Sequence, residues 1–111
     1  MTSHHVVTTR RADDDIARAA AYHLEAGTDE SAEGFVDALE AAVRLIADHP
    51  SIGSPRFAVE LGIPDLRTIA LRRFPYLLFY TEDADAVRVH RVLHTRRDFP
   101  AEYADAEPIQ R

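Results

Sequence analysis

The last third of the chain concentrates the side chains that could do chemistry. Between Leu66 and Asp98, the sequence LRTIALRRFPYLLFYTEDADAVRVHRVLHTRRD interleaves arginines with aromatic residues. It ends in the cluster HTRRD, residues 94–98, where the density of charge is highest. Such a cluster predicts either a docking or catalytic patch, or a solvated strand end whose ion pairs contribute less than about 1 kcal/mol each.

The arginines and tyrosines of this stretch have the chemistry of a contact surface. Guanidinium groups bind carboxylates and phosphates in bidentate geometry, and a phenol ring offers an apolar body with a polar tip. Both also have ordinary uses, in solubility for arginine and in cross-strand packing for tyrosine. The residues predicted to contact a target or partner are Arg67, Arg72, Arg73, Tyr76, Tyr80, His94, Arg96 and Arg97.

The sequence predicts no metal site and no cofactor. It has no cysteine, and its six histidines show no pair one helical turn apart beside a carboxylate. The acidic run Asp13–Asp15 is better explained as the first turn of a helix, where carboxylates favour the positive end of the dipole. Arg91 has the parity of core residues in its strand, so we expect an ion pair between Arg91 and one of these three acids.

Periodicity indicates which elements position these residues. Residues 66–72, 76–80 and 87–94 are alternating, apolar or β-branched runs separated by a Phe-Pro break and the acidic turn TEDADA, which predicts an antiparallel meander. The short β-branched segment Ser3–Thr9 predicts a first strand that pairs with this meander. Alternation places on the face away from the helices Thr68, Arg72, Tyr76, Tyr80, Arg88, His90 and His94, and on the helix-facing side Ile69, Leu71, Leu77, Phe79, Val87, Val89 and Leu93.

Two amphipathic helices precede the meander. Apolar residues recur at intervals of three and four from about Arg11 to Ala26, and a second apolar stripe runs from Ala32 to Ile46. Residues 50–64 contain three prolines and two glycines, which predicts a connector without regular structure. The result is an α+β fold in which a helical hairpin packs on a small, mostly antiparallel sheet.

Length and charge limit the possible functions. A chain of 111 residues is long enough for one domain, residues 1–111, with a C-terminal tail from about residue 99. No apolar run approaches a membrane span and the N-terminus lacks the order of a secretory signal, so we expect a cytoplasmic protein. The net charge of −6 combines an acidic first half with a basic meander, which makes direct nucleic-acid binding over a wide surface unexpected.

Three phrases, HPSIGSPR, LRTIALRRFPYLLFY and VHRVLHTRRD, resemble in order and spacing the ParE branch of the ParE/RelE superfamily of type II toxin–antitoxin toxins, also called plasmid stabilisation proteins. The family's Tyr-x-x-x-Tyr strand matches Tyr76 and Tyr80, and its His-x-x-Arg-Asp pattern matches His94, Arg97 and Asp98. The resemblance covers about residues 6–98. It implies the RelE/ParE-like fold.

The resemblance also implies a function. A ParE-like toxin is expected to inhibit DNA gyrase by protein–protein binding, with no catalytic residues, and to be neutralised by a ParD-like antitoxin. The RelE-like branch instead cleaves messenger RNA on the ribosome; residues available for that chemistry are His94, Arg72, Arg88, Arg97 and Tyr103. The acidic net charge and the absence of lysine favour the first interpretation. An inactive toxin-fold remnant is a third, and the sequence leaves open the target, the cognate antitoxin and the oligomeric state.

Overall fold

A computed structural model describes residues 3–96. The order of its elements confirms the predicted α+β fold. These elements are β1 (Val6–Thr8), α1 (Arg10–Ala26), α2 (Asp29–Asp48), a one-turn 3-10 helix (Pro50–Ile52), α3 (Arg56–Leu61), β2 (Arg67–Ala70), β3 (Tyr76–Glu82) and β4 (Val87–His94).

The two long helices form the predicted hairpin, and each begins at a threonine cap. Thr9 Oγ1 accepts the N–H of Ala12 at 3.1 Å, and Thr28 Oγ1 accepts the N–H of Ser31 at 3.0 Å. Each cap satisfies a backbone donor that has no partner inside the first helical turn. At Gly27 the backbone N–H donates to His23 O, which ends α1 at the predicted residue.

The sheet has the strand order β1-β4-β3-β2. β2, β3 and β4 form the predicted antiparallel meander, and β1 pairs with β4 in parallel, from Val6 opposite Val87 to Thr8 opposite Val89. The prediction that the first strand joins the meander is confirmed, although the strand is shorter than Ser3–Thr9. Parallel pairing requires a long crossover, which the helical hairpin and the chain after it supply.

The connector prediction is wrong for part of residues 50–64, because this segment contains α3. Pro55 precedes the first residue of α3, and Gly62 follows the last one with a left-handed φ of 68°. Proline at a helix start and glycine just past a helix end are favoured for stereochemical reasons. The prolines and glycine that suggested an irregular segment therefore mark the two ends of a short helix.

Both faces of the sheet are covered, which corrects the predicted face of β3. One core lies between the sheet and the hairpin, and the other lies under α3, where Phe57 packs with Leu66, Phe79 and Leu93. Leu77, Phe79 and Leu93 thus face α3 rather than the hairpin. The hairpin core instead receives from β3 the side chains of Tyr76, Leu78 and Tyr80.

The parity error has two physical causes. The run YLLFY is apolar at every position, so it carries no contrast between polar and apolar residues that would fix which side faces the helices. In addition, β4 has an irregularity opposite Phe79 and Tyr80: Phe79 pairs with Arg91, and Tyr80 pairs with Val89. This bulge changes the alternation within β4. Val87, Val89 and Val92 consequently share the hairpin core.

The predicted ion pair of Arg91 is confirmed, and its partner is Asp15. Arg91 Nε and Nη2 donate to the two carboxylate oxygens of Asp15 at 2.7 and 2.8 Å, and the backbone N–H of Val92 donates to the same carboxylate at 3.0 Å. The side chains of Arg91 and Asp15 are only 9% and 2% exposed. A bidentate pair at this depth fixes α1 against β4.

Candidate functional site

Four of the predicted contact residues meet at one end of the sheet. His94 lies opposite Tyr76, and the N–H of Thr95 donates to Pro75 O at 2.8 Å, so the end of β4 lies beside the β2–β3 turn. This arrangement brings together Arg72, Arg73, His94 and Arg96, which we call the cationic end. The three arginines are exposed, and within residues 3–96 their guanidinium groups form no ion pair.

Arg73 occupies a strained position in the β2–β3 turn. Its φ is 70°, in the left-handed region that residues with a Cβ seldom adopt. The surrounding turn is closed by two backbone hydrogen bonds, from Leu71 N to Tyr76 O at 3.0 Å and from Tyr76 N to Phe74 O at 2.8 Å. A strained residue persists only where the surrounding structure holds it in place, and such residues are concentrated at functional sites.

His94 is arranged as a hydrogen-bond donor rather than as a base. Its Nδ1 accepts the backbone N–H of Arg96 at 3.1 Å, so the neutral ring carries its proton on Nε2. The ring packs edge-on against Tyr76, with centroids 5.3 Å apart. In its neutral form the imidazole therefore presents an N–H to the surface, which suits a contact with a carbonyl or carboxylate.

The predicted exposure of the two tyrosines is wrong. Tyr76 is 7% exposed and Tyr80 is completely buried. The Tyr80 hydroxyl donates to Pro50 O at 2.7 Å and accepts the N–H of Gly53 at 2.9 Å, and burial raises the pKa of this phenol above its ordinary value. Arg67 Nη1 donates to Gly53 O at 2.7 Å. Tyr80 and Arg67 thus hold the chain after α2 against the sheet, away from the cationic end.

Gly53 is required for this contact. A Cβ at position 53 would lie 2.6 Å from Tyr80 Oη and 2.8 Å from the carbonyl oxygen of Thr68. Both distances are shorter than real Cβ contacts, and one of the two atoms belongs to the backbone of β2. The glycine in the phrase HPSIGSPR therefore permits the close approach of the connector to the sheet.

Arg88 lies at the end of the sheet opposite the cationic end. Arg88 pairs across the sheet with Thr81, five residues along β3 from Tyr76, which corresponds to about 16 Å at the rise of a strand. Its Nε donates to Asp83 Oδ2 at 2.7 Å, and this hydrogen bond lowers the pKa of Asp83. The structure thus separates two of the residues proposed for ribonuclease chemistry, Arg88 and His94. Arg97 and Tyr103 lie outside the described residues.

A groove beside the cationic end contains residues that sequence reasoning missed. This cavity of about 550 Å³, which we call the α1–β4 groove, is bounded by α1, the start of β3 and the end of β4. Its α1 wall includes Arg18, Tyr22 and His23, and its other walls include Tyr76 and His94. Tyr22 could have indicated this groove, because core packing does not explain a large aromatic side chain outside the apolar stripe of α1. Its side chain is 61% exposed.

A second, different surface lies on the outer side of the helical hairpin. This hairpin groove of about 360 Å³ is formed by small and apolar side chains of α1 and α2, with the carboxylates of Glu33 and Asp37 at its edge. Leu24 and Val36, which line it, are 55% and 38% exposed. Exposed apolar residues between two helices with a polar edge are typical of a surface that binds another helix.

Among residues 3–96, no group of three or more histidines and acids is placed to hold a metal ion. No helix in the same range is long and apolar enough to cross a membrane.

Comparisons with known proteins agree with this architecture. The sequence model of the family described as "ParE toxin of type II toxin-antitoxin system, parDE" matches residues 6–99. A chain of the solved structure "Chromosomal ParDE TA system from P. aeruginosa" is similar with a TM-score of 0.67 and 19% identity, over 83% of this chain and 96% of that chain. No curated protein matches. Because the family model spans most of the chain, the protein belongs to the ParE toxin family of type II toxin–antitoxin systems.

Proposed function

We propose that this ParE-family toxin inhibits DNA gyrase by protein–protein binding in the cytoplasm and is neutralised by a ParD-like antitoxin. Family membership supports the toxin role, and the similar solved structure is of a ParDE system. The observation that carries binding over catalysis is the cationic end. There, the exposed residues Arg72, Arg73 and Arg96 lie at the same end of the sheet as a histidine whose Nδ1 already accepts a backbone N–H.

The ribonuclease alternative has less support from the geometry. Cleavage of RNA needs a base for the 2′-hydroxyl, an acid for the leaving oxygen and cations near the phosphate, all within reach of one another. His94 would have to lose its hydrogen bond with Arg96 N before Nδ1 could act as a base. Arg88 is about 16 Å away along the sheet and is paired with Asp83.

Expression of the toxin alone tests the proposed target. If the chain poisons gyrase, induced cells should form filaments and switch on a DNA-damage response while protein synthesis continues. Microscopy, a DNA-damage reporter and pulse labelling of new protein would measure these three effects. Prompt loss of protein synthesis with cut messenger RNA would support the ribonuclease instead.

A matched set of variants separates contact from chemistry. For a binding toxin, Arg96→Glu/Arg97→Glu should abolish toxicity because charge reversal opposes encounter, and His94→Gln should leave most of it. Arg10→Glu/Arg44→Glu, on exposed helical positions, controls for the same change of net charge. A folded His94→Gln protein that has lost roughly 100-fold or more of its activity, beside a toxic Arg96→Glu/Arg97→Glu protein, would favour ribonuclease chemistry.

The antitoxin should cover two surfaces of opposite charge. An amphipathic helix fits the hairpin groove, and an acidic or apolar extended segment fits the arginine-rich meander. Hydrogen exchange should therefore slow in the connector, along the exposed side of the hairpin and in the meander when the complex forms. Unchanged exchange across residues 56–97 would contradict this mode of neutralisation.

A further inference from the structure

We propose that the α1–β4 groove is a binding site for a partner segment that carries a carboxylate beside an aromatic or large apolar side chain. The inference rests on the proposed action by protein contact and extends it to a defined pocket. It assigns binding roles to Arg18, Tyr22 and His23 of α1, which lie outside the arginine-rich meander. The partner is thereby specified by its chemistry as an acidic, aromatic-containing stretch of protein.

The walls of the groove favour an aromatic or apolar body. Tyr22 is 61% exposed and supplies most of this surface, while Ala19 and Val92 also line the groove but are only 6% and 2% exposed. Aromatic side chains in such a pocket contribute large contact area, and tyrosine is among the residues that dominate binding energy at protein interfaces. At about 550 Å³ the groove has the volume of a small-ligand site. It can therefore hold one large side chain together with part of its backbone.

The charges around the groove favour a carboxylate. Among the lining residues that belong to the described range 3–96, Asp15 is the one acid, but its carboxylate accepts two hydrogen bonds from Arg91 and one from Val92 N and is only 2% exposed. The other ionisable side chains of the described lining are arginine, tyrosine and histidine, none of which adds a carboxylate. Arg18 is 68% exposed, with its Nη1 3.7 Å from Asp15, and His94 completes the opposite wall. An incoming carboxylate would meet a guanidinium on a mostly exposed side chain, which can bind it in bidentate geometry.

The groove is also held in shape before any partner binds. The ring of His23 is stacked on Phe35 at 5.4 Å and lies edge-on to Phe74 at 5.2 Å. Its two ring nitrogens are each 3.4 Å from a hydroxyl, Ser31 Oγ and Tyr76 Oη. Side chains that are already fixed lose little conformational freedom on binding, which raises affinity for a given contact area.

The groove and the cationic end share a boundary, and this gives the bound segment a direction. His94 lines the groove and also accepts the N–H of Arg96. A segment that leaves the groove past His94 therefore reaches Arg96 and then the turn that carries Arg72 and Arg73. Further acids in that part of the partner would find exposed guanidinium groups, whereas the carboxylate-edged hairpin groove would repel them.

A small probe tests the site without requiring the identity of the partner. Titration of the full-length, isotope-labelled toxin with indole-3-propionate should shift the backbone amide signals of residues 18–23 and 92–95. A ligand of this size should bind with a dissociation constant of about 1 mM. Indole-3-propanamide, which has the same ring but no charge, should bind about fivefold more weakly or worse.

Two variants that remove the same charge make the test specific. Arg18→Gln should weaken the carboxylate probe at least about threefold and leave the amide probe unchanged. Arg44→Gln, at an exposed position of α2 that does not line the groove, should leave both unchanged. Equal affinity for the two probes, equal effects of the two variants, or signals that shift only at the hairpin groove would overturn the proposal.

The proposed function can fail independently of this site. Loss of probe binding in Arg18→Gln with an intact DNA-damage response in cells would retain the site and show that gyrase poisoning does not use it. Absence of probe binding to the native chain would remove the site but not the gyrase proposal. If the site serves a protein partner, Arg18→Gln should also reduce toxicity or antitoxin affinity by more than Arg44→Gln does.

Discussion

The two ends of the sheet use similar residues in opposite ways. At the β3–β4 turn, Arg88 is bound to Asp83 at 2.7 Å and His90 Nε2 lies 2.9 Å from Thr81 Oγ1. At the cationic end, by contrast, the guanidinium groups of Arg72 and Arg73 extend from a strained turn without an ion pair in the described part of the chain. The comparison shows that residue type alone does not identify a contact surface. What distinguishes the cationic end is that the fold leaves its charges available.

The buried polar groups extend the comparison. Arg91 and Tyr80 have chemistry that could serve binding, but the fold uses both internally, in the pair with Asp15 and in hydrogen bonds to Pro50 and Gly53. If residues that form ion pairs or hydrogen bonds within the fold are structural, their substitution should change the free energy of unfolding. Substitution of the exposed arginines of the cationic end should instead change function.

The largest effect is expected for Asp15→Ala. This change removes a buried carboxylate that accepts two hydrogen bonds from Arg91 and one from Val92 N. Removing one partner of a buried pair costs about 3–5 kcal/mol. Chemical denaturation should show a loss of that size, whereas Asp14→Ala, at the exposed neighbouring position, should change stability by less than about 0.5 kcal/mol. Similar losses in both variants would show that the Arg91–Asp15 pair does not account for the lost stability.

Tyr80→Phe should have the next largest effect. It removes a buried donor to Pro50 O and a buried acceptor for Gly53 N, a loss of about 1–3 kcal/mol. Because burial raises the pKa of Tyr80 above its ordinary value of 10.0, the neutral phenol stabilises the fold below that pH and the contribution is lost as the pH rises through the native pKa. Denaturation curves at neutral and alkaline pH should show this dependence in the native chain and its reduction in Tyr80→Phe. The exposed Tyr22→Phe, unchanged in both conditions, is the control.

Arg73→Gly should stabilise the fold while impairing the toxin. Glycine adopts the φ of 70° without the left-handed penalty, and after its own entropy cost the net gain is about 0.5–1 kcal/mol. Arg72→Gly removes the same charge at a residue without a positive φ, so it should lower stability slightly. Thermal unfolding measures the difference, and growth assays measure toxicity. If Arg73→Gly is both more stable and fully toxic, then the strain at this position is unrelated to contact.

The smallest effect is expected at the paired end of the sheet. The hydrogen bond from Arg88 lowers the pKa of Asp83 below its ordinary value of 3.8, so the pair stabilises the fold above that pH and the contribution disappears as the pH falls through the native pKa. Because both side chains are more than one third exposed, the contribution should be less than about 1 kcal/mol. Arg88→Gln should lower stability at neutral pH, and its difference from the native chain should shrink as the pH falls below 3.8. Arg72→Gln should show no such dependence on pH.

Much of the candidate site could be predicted, and the errors have definable causes. Arg72, Arg73, His94 and Arg96 were identifiable because charged residues at a turn and a strand end remain at the surface in almost any packing. The expected pair between Arg91 and the run Asp13–Asp15 already connected α1 with β4, but whether Arg18, Tyr22 and His23 border a cavity there depends on the distance between the two elements. The distance between Arg88 and His94 also depends on strand length and register rather than on residue type.

The sequence by itself determined the elements that depend on local order. The amphipathic period specified α1 and α2, alternation and turn residues specified the meander, and an arginine at a core parity predicted an ion pair with an acid of the run Asp13–Asp15. Tertiary structure decided the rest. It turned Tyr76 and Tyr80 inward, because a strand that is apolar on both faces takes its orientation from what packs on each side. It also set the spacing between α1 and the end of β4, which creates the groove, since cavities depend on distances between elements that no local pattern encodes.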